Sequence, residues 1–372
     1  MAENDVPEEA LDALEAEEVS DVEVDDIDPE APDEELPFVY AITAYGADYP
    51  VDALVSRLEQ GDIVVPEFQR KFIWPRPRID RFIESLLLGL PVPGIFLANE
   101  SETNKLLVID GQQRLETLRS FYAGVLRGRE FTLGNGVQPQ FEGKKYDSLD
   151  EEDRRRLDNS IIHATVIRQD RPSDDESSIY FVYERLNTGG TVLLPQEIRT
   201  AIFVGAFNEL LSELNSYEPW REIFGTPSKR LKDQELILRF FAFLYDADRY
   251  ERPMKEFLND FMGRNRHLTE LSADTLRADF TRTIDLLASA LTPTELFRPG
   301  GRAMNAAVFD AVMVGTAQRV KVDDDPDLTE ISTAYQDLLK DDVFIQAYTR
   351  ATADEASVKS RLEIATEQFA KR

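Results

Sequence analysis

The chain has 372 residues, of which 42% are hydrophobic and 10% aromatic, so it is long enough for two globular domains with their own cores. Its formal net charge is −29, and residues 1–36 hold 17 of the acidic side chains and no Lys or Arg. The remainder carries about −12, which excludes a uniformly basic nucleic-acid-binding surface. A local positive groove stays open, because 31 Arg outnumber 11 Lys.

The lack of cysteine limits the chemistry further. With no Cys, the chain has no disulfide, no Cys-ligated zinc and no Cys nucleophile, and we expect no zinc at all. The two histidines, His163 and His267, lie in no metal-ligand or catalytic-triad pattern, and His163 is expected at a half-buried position of a strand. No apolar run approaches the ~18 residues of a membrane span, and the first residues lack a signal-peptide pattern. We therefore expect a cytoplasmic protein without membrane contact.

The chain is predicted to contain three regions. Residues 1–36 have the composition of a disordered acidic tail, either a solubilising segment or one with a short partner-docking motif. Beyond it, apolar periodicity and turn residues predict a mixed pattern of helices and strands. The predicted helices are 51–58, 79–90, 150–157, 177–186 and 195–203, and the predicted strands are 63–65, 94–98, 105–109, 131–133 and 161–167. From residue 205 the spacing is helical, as at Leu236 to Leu244, so we predict an α+β domain over 37–204 and a helical domain over 205–372.

The most informative stretch is the change from strand to helix at Asp110-Gly111. Gly111 permits a tight turn, and Asp110 is expected to cap the first free amides of the following helix. Exposed amides at a helix start, with Gln112, Gln113 and Arg114 on the first turn, favour an anion such as phosphate. The alternative is an ordinary capped junction whose polar residues are only solvated.

Two further polar clusters lie at junctions between elements. The first holds Gln69 and Arg70, and the second runs from Asn187, Thr188 and Gly189 to Gln196 and Arg199. Amide and guanidinium groups together suit phosphate oxygens and a sugar or base edge. Each cluster also has a structural interpretation: Arg70 could pair with Glu67, Asn187 and the glycines could form a helix C-cap, and Glu197 could pair with Arg199. Trp74, near the first cluster, could pack in the core.

Four ordered motifs carry a family resemblance. They are V-P-E-F-Q-R-x-F-I-W from Val65, L-P-V-P-x-I-F-L from Leu90, V-I-D-G-Q-Q-R-L-x-T-L from Val108, and L-N-T-G-G-T-x-L-x-x-Q-E-I-R from Leu186. Together they resemble domain of unknown function 262, the GmrSD N-terminal type, over about residues 38–265. The resemblance implies a small mixed sheet of the ParB/sulfiredoxin-like type with helices, followed by an all-helical C-terminal domain.

The resemblance also implies a function in prokaryotic defence. Members are linked to anti-phage or modified-DNA restriction and to nucleoside triphosphates through the D-G-Q-Q-R segment. It implies Asp110 and Arg114 as catalytic residues. Asp110 would hold Mg²⁺ or orient the attacking water, and Arg114 would neutralise the charge that develops on phosphate. The nucleotide-binding residues would be Gln69, Arg70, Gly111, Gln112, Gln113, Asn187, Thr188, Gly189, Gln196 and Arg199.

No histidine of this chain fits the HNH nuclease that many relatives carry, so a separate nuclease or modification-sensing protein is an expected partner. Two alternatives to a nucleotide-hydrolysing component remain. One is a DNA-binding or adaptor module without turnover, and the other is a ParB-like nuclease.

Overall fold

The computed structural model describes residues 23–25, 41–65, 74–100, 103–171, 180, 182, 193–301 and 303–370. The chain divides into two compact units. We call residues 35–203 the sheet unit, and residues 1–34 together with 204–372 the helical unit. Strand β1, Val24–Asp25, belongs to the helical unit and lies within the segment for which composition predicts disorder.

The sheet unit is built on a mixed five-stranded sheet. Its strands are β2 (Ala41–Pro50), β3 (Ile63–Val64), β4 (Ile95–Asn99), β5 (Leu106–Asp110) and β8 (Ile161–Arg171), with a separate hairpin of β6 (Val125–Leu126) and β7 (Arg129–Glu130). The strand order is β2-β8-β4-β5-β3, in which β8 and β4 are parallel, β5 and β3 are parallel, and the other neighbours are antiparallel. The predicted fold class, α+β with a small mixed sheet and a helical C-terminal region, is confirmed.

Within the described residues, five α-helices accompany the sheet: α1 (Val51–Gln60), α2 (Arg76–Leu87), α3 (Gln112–Ala123), α4 (Glu151–Asp158) and α5 (Pro195–Ile202). One face of the sheet is apolar because alternate strand residues, such as Leu97, Val108 and Val166, point toward it. These side chains form one core with apolar residues of α1, α2, α3 and α4. Helix α1 begins directly after β2, and α3 begins one residue after β5, so the packing of this core fixes where these two helices start.

Two predicted elements differ in the structure. The helix predicted from residue 79 already begins at Arg76, because Pro75 is its N-cap and Pro77, which needs no amide partner, occupies the first turn. The strand predicted over 131–133 is wrong: Phe131 and Leu133 are buried, but they lie in irregular chain that follows β7. Their apolar side chains indicate that these residues are buried, but apolar character alone does not show that they pair in a sheet. Most of the helix predicted over 177–186 lies outside the described residues.

The helical unit consists of α6 (Ala206–Asn215), α7 (Glu218–Phe224), α8 (Lys232–Asp246), α9 (Met254–Arg264), α10 (Ala273–Ala290), α11 (Ala306–Val322), α12 (Leu328–Leu338), α13 (Asp342–Thr349) and α14 (Glu355–Ala370). The central helix is α11, which is buried on nearly every side and packs against α8, α10 and α14. Strand β9, Met304–Asn305, precedes it and pairs in parallel with β1.

Buried charge links three helices of the helical unit. Asp310 on α11 is fully buried and accepts from Arg239 Nε at 3.0 Å and from Arg361 Nη2 at 3.2 Å. Burial lowers the pKa of Arg361, and Asp310 opposes that shift. Within the described residues, no helix combines the length and the apolar composition that crossing a membrane requires.

Candidate functional site

The strand-to-helix corner predicted from the sequence is confirmed. Strand β5 ends at Asp110, Gly111 has a φ of 103°, and α3 begins at Gln112. A Cβ on Gly111 would lie 2.4 Å from Ile95 Cγ2. Both the positive φ and the approach to β4 require glycine at this position, so the site has a rigid backbone corner.

Asp110 does not cap the helix, and that expectation is wrong. Gly111 is the N-cap residue, and glycine has no side chain that could accept from the first amides of the helix. The Asp110 carboxylate instead accepts from Arg114 Nη2 at 2.7 Å, and the same nitrogen donates to the carbonyl oxygen of Gly94 at 2.9 Å. The Arg114 side chain is 13% exposed, and the Asp110 side chain is 51% exposed. The guanidinium group is therefore held in place at the sheet edge, while the carboxylate faces solvent.

The two glutamines of the first turn have different surroundings. Gln113 is buried, and its Oε1 accepts the backbone amide of Trp74 at 3.2 Å. Gln112 Oε1 is buried without a hydrogen-bond partner among the described residues, and so is Arg114 Nε. Buried polar atoms without partners are costly and are rare in native proteins unless a ligand or water satisfies them. These two atoms flank the start of α3, where the first amides also lack partners within the helix.

The other end of α3 is anchored by two tyrosines. The hydroxyl groups of Tyr122 and Tyr146 donate to Asp158 Oδ1 at 2.6 and 3.0 Å, and the two rings stack at 4.1 Å. Burial, with the nearby Asp158 carboxylate, raises the pKa of both phenols above the ordinary value. The neutral phenols thus fix the C-terminal end of the helix whose first turn forms the corner.

Trp74 packs in the sheet unit, as its structural interpretation predicts. Its ring contacts Phe82 edge-on at 5.7 Å, and Arg78 stacks over it at 4.5 Å. The hydrogen bond from the Trp74 amide to Gln113 connects the start of α2 to the corner.

The Gln196 and Arg199 cluster lies on α5 and is buried. Both residues are 1% exposed, and Arg199 Nη1 donates to Gln196 Oε1 at 3.1 Å. Glu197 Oε2 accepts the amide of Leu194 at 2.6 Å, which is a capping bond of the kind expected at a helix start. The structure thus pairs Asp110 with Arg114 and Gln196 with Arg199. Gln69, Arg70, Asn187, Thr188 and Gly189 lie outside the described residues, so the convergence of the three clusters stays a prediction.

The expected position of His163 requires a correction. It lies on β8 as predicted, but its side chain is 63% exposed, because it points away from the core while Ala164 points into it. His163 Nδ1 is 2.7 Å from Asp48 Oδ1 on the neighbouring strand β2. This pair was missed because Asp48 is 115 positions away along the chain, and only the strand register brings the two together. The alternation around His163 could have indicated the exposed face.

Asp110 suits a magnesium ion that arrives with a nucleotide better than a metal held by the protein alone. Mg²⁺ keeps several waters and is commonly held by one or two carboxylates together with substrate phosphates. Asp110 offers one half-exposed carboxylate, and within the described parts of the chain no group of three or more His, Asp or Glu side chains could enclose an ion. The residues present fit that mode of binding.

These features define the class of the sheet unit: a small α+β domain with a polar strand-to-helix corner at one end of a mixed sheet. Residues 51–204 match the family model of the GmrSD restriction endonuclease, N-terminal domain. The chain therefore contains a GmrSD N-terminal-like domain, which confirms the resemblance predicted from the motifs.

A curated relative also matches part of the chain. An uncharacterized protein of Methanocaldococcus jannaschii is 31% identical over 132 aligned residues, which cover 29% of this chain and 22% of the relative. The matched part thus spans about a fifth of the length of that relative.

Proposed function

We propose that this protein is a component of a prokaryotic restriction system and that its sheet unit binds and hydrolyses a nucleoside triphosphate at the Asp110 corner. The match to the N-terminal domain of a restriction endonuclease supports the first part. The guanidinium group of Arg114, fixed beside a helix start that also holds two buried atoms without partners, supports the second.

In this proposal, the amides at the start of α3 and the Arg114 guanidinium bind phosphate oxygens. Charge that develops on the transferred phosphoryl group is stabilised by Arg114, which needs little reorganisation because Gly94 already orients it. Asp110 would hold the magnesium ion that accompanies the nucleotide. Gln112 Oε1 and Arg114 Nε gain partners from the nucleotide or its waters. Gln69, Arg70, Asn187, Thr188, Gly189, Gln196 and Arg199 remain proposed contacts to the rest of the nucleotide.

The direct test compares Arg114→Ala with a matched variant of the same helix, Arg119→Ala. Arg119 pairs with Glu116 on α3 and is 45% exposed, so its loss removes a positive charge without touching the corner. Each of the four nucleoside triphosphates is tested with Mg²⁺. We expect at least one of them to raise the melting temperature of the wild type and of Arg119→Ala. Both proteins should also release phosphate from that nucleotide. Arg114→Ala should lose both effects. Phosphate release at the same rate from Arg114→Ala and wild type would contradict the proposal.

DNA is the second proposed ligand, because the matching family model describes part of a restriction endonuclease. A phosphate-binding DNA site should lose affinity steeply as salt rises. Fluorescence anisotropy with duplex DNA between low and physiological salt measures this dependence. DNA affinity that does not change with salt would count against DNA as a direct ligand, and so would a lack of binding. A separate nuclease or modification-sensing chain would then be the proposed partner.

A further inference from the structure

Four strands of the sheet unit bring polar groups to one end of the sheet. Strands β2 and β5 end there, near Asp48 and at Asp110, whereas β8 and β4 begin there, near His163 and just after Gly94. The register pairs Asp48 with His163 and Phe96 with both Thr165 and Asp110. Because side chains alternate along a strand and Ile162 and Ala164 point into the core, His163 and its register partner Asp48 point to the opposite face.

Asp48 and His163 form an oriented pair with an accessible ring. Nδ1 of His163 is bound by the Asp48 carboxylate at 2.7 Å, which leaves Nε2 as the nitrogen available for a water molecule. A Cβ on Gly46 would lie 2.9 Å from Cε1 and 3.4 Å from Nε2 of the same ring. Gly46 therefore keeps space beside Nε2. A solvent-exposed pair of this kind adds little to stability, so stability alone does not explain its arrangement.

The His163 pair adjoins the proposed phosphate site. In the parallel register of β4 and β8, Gly94 lies beside His163, and a Cβ on Gly94 would be 2.7 Å from the His163 carbonyl oxygen. The carbonyl of Gly94 in turn accepts from Arg114 at 2.9 Å. The Arg114 guanidinium is thus separated from the His163 backbone by about one strand spacing, roughly 5 Å, plus one hydrogen bond. The proposed phosphate site and the pair of Asp48 and His163 thus lie on neighbouring strands at the same end of the sheet.

We propose that His163 is the general base of the hydrolysis reaction and that Asp48 is its positioning residue, which rests on the proposed function. Nε2 accepts a proton from a water molecule as the water oxygen forms a bond to the γ-phosphorus. The bond from that phosphorus to the β,γ-bridging oxygen breaks, and its electron pair leaves with the nucleoside diphosphate. The products are the diphosphate and inorganic phosphate. Asp48 holds the Nδ1 proton and stabilises the imidazolium ion that forms.

The experiment uses the full chain and the triphosphate that shifts the melting temperature most. We expect His163→Ala and His163→Gln to lower kcat by about 100-fold or more, the range for loss of a general base, with KM nearly unchanged. Added imidazole should restore part of the rate to His163→Ala, because the deleted ring leaves room beside Gly46. Asp48→Asn should lower kcat without a change in KM. Tyr45→Phe, an exposed substitution on the same strand as Asp48, serves as the matched control and should keep the wild-type rate.

The outcomes separate this inference from the function on which it rests. If the wild type binds and hydrolyses a triphosphate while both His163 variants keep its rate within twofold, the general base is elsewhere and the inference is overturned. A loss of rate without any rescue by imidazole would also contradict it, since that result indicates a structural effect. If the wild type neither binds nor hydrolyses any triphosphate, the proposed function fails and the inference fails with it.

Discussion

Arg114 and Asp110 are paired through a single nitrogen, Nη2, at 2.7 Å, and that nitrogen also donates to the Gly94 carbonyl. The pair joins the end of β5 to the first turn of α3, four residues apart. It thereby determines both the direction of the guanidinium group and the exposure of the carboxylate. A phosphate that approaches this corner meets a fixed cation and a negative group at the same time, so the carboxylate needs a compensating cation.

Removing the Asp110 charge should therefore abolish the magnesium dependence of nucleotide binding. In the wild type, we expect Mg²⁺ to strengthen triphosphate binding, because the ion neutralises the repulsion between Asp110 and phosphate. In Asp110→Asn, binding should be similar with Mg²⁺ and with a chelator, while hydrolysis falls. Thermal-shift titrations under both conditions measure the difference. A magnesium dependence in Asp110→Asn as large as in the wild type would show that Asp110 does not hold the ion.

Gly111→Ala should damage the corner more than the same change at the far end of α3. At Gly111 the added methyl group meets both a φ of 103° and Ile95 Cγ2 at 2.4 Å, whereas at Gly124 it meets a φ of 69° and no atom within 4 Å. We expect about 1 kcal/mol of destabilisation at Gly124 and about 3 kcal/mol at Gly111, with the difference due to the clash. Hydrogen exchange of α3 peptides in the full chain checks this, and equal protection in the two variants would contradict it.

Asp310→Ala should be among the most destabilising changes in the helical unit. It leaves the Arg239 and Arg361 guanidinium groups buried without their shared carboxylate, at a cost of about 3–5 kcal/mol. The exposed Asp324, which pairs with Arg282, gives a control whose replacement by Ala should change little.

Urea unfolding followed by the fluorescence of Trp220, in a Trp74→Phe background, reports on this unit alone. Trp220 is fully buried on α7, and the sequence has only two Trp. Equal midpoints for Asp310→Ala and Asp324→Ala would show that the buried network contributes no net stability.

Tyr335 should make the helical unit less stable at alkaline pH. Burial raises the pKa of its phenol to about 12 from 10.0 in the unfolded chain, so the folded state favours the neutral form. The associated stability is present below pH 10 and is lost as the pH rises toward 12, on the order of 3 kcal/mol.

Comparing unfolding midpoints of wild type and Tyr335→Phe across this range measures the effect. The variant also removes the hydroxyl group that accepts from the Phe297 amide, so its unfolding midpoint should be lower than that of the wild type at neutral pH. Its midpoint should fall less than that of the wild type as the pH rises. The exposed Tyr45→Phe is the control. The same alkaline sensitivity in Tyr335→Phe and wild type would contradict the assignment.

Much of the fold could be predicted from local pattern. The periodicity of Val51 to Leu58 and the buried run from Leu236 to Leu244 identified their helices, and the Asp110-Gly111 turn was located correctly. Periodicity succeeds there because an amphipathic helix or a buried strand repeats its apolar residues at a fixed interval. It failed at Phe131, where a buried side chain lies in irregular backbone.

What the sequence by itself determined was the kind of chemistry available: no cysteine, two histidines, and a Gly turn followed by Gln, Gln and Arg at a helix start. It also determined the resemblance that the match over residues 51–204 confirms. Only the tertiary structure decided which groups meet. Asp110 pairs with Arg114 and not with the helix amides, Gly94 orients that arginine, and Asp48 joins His163 across two strands. The physical reason is that strand register and the close approach of β4 to Gly111 are set by packing of the whole sheet, and local sequence does not encode them.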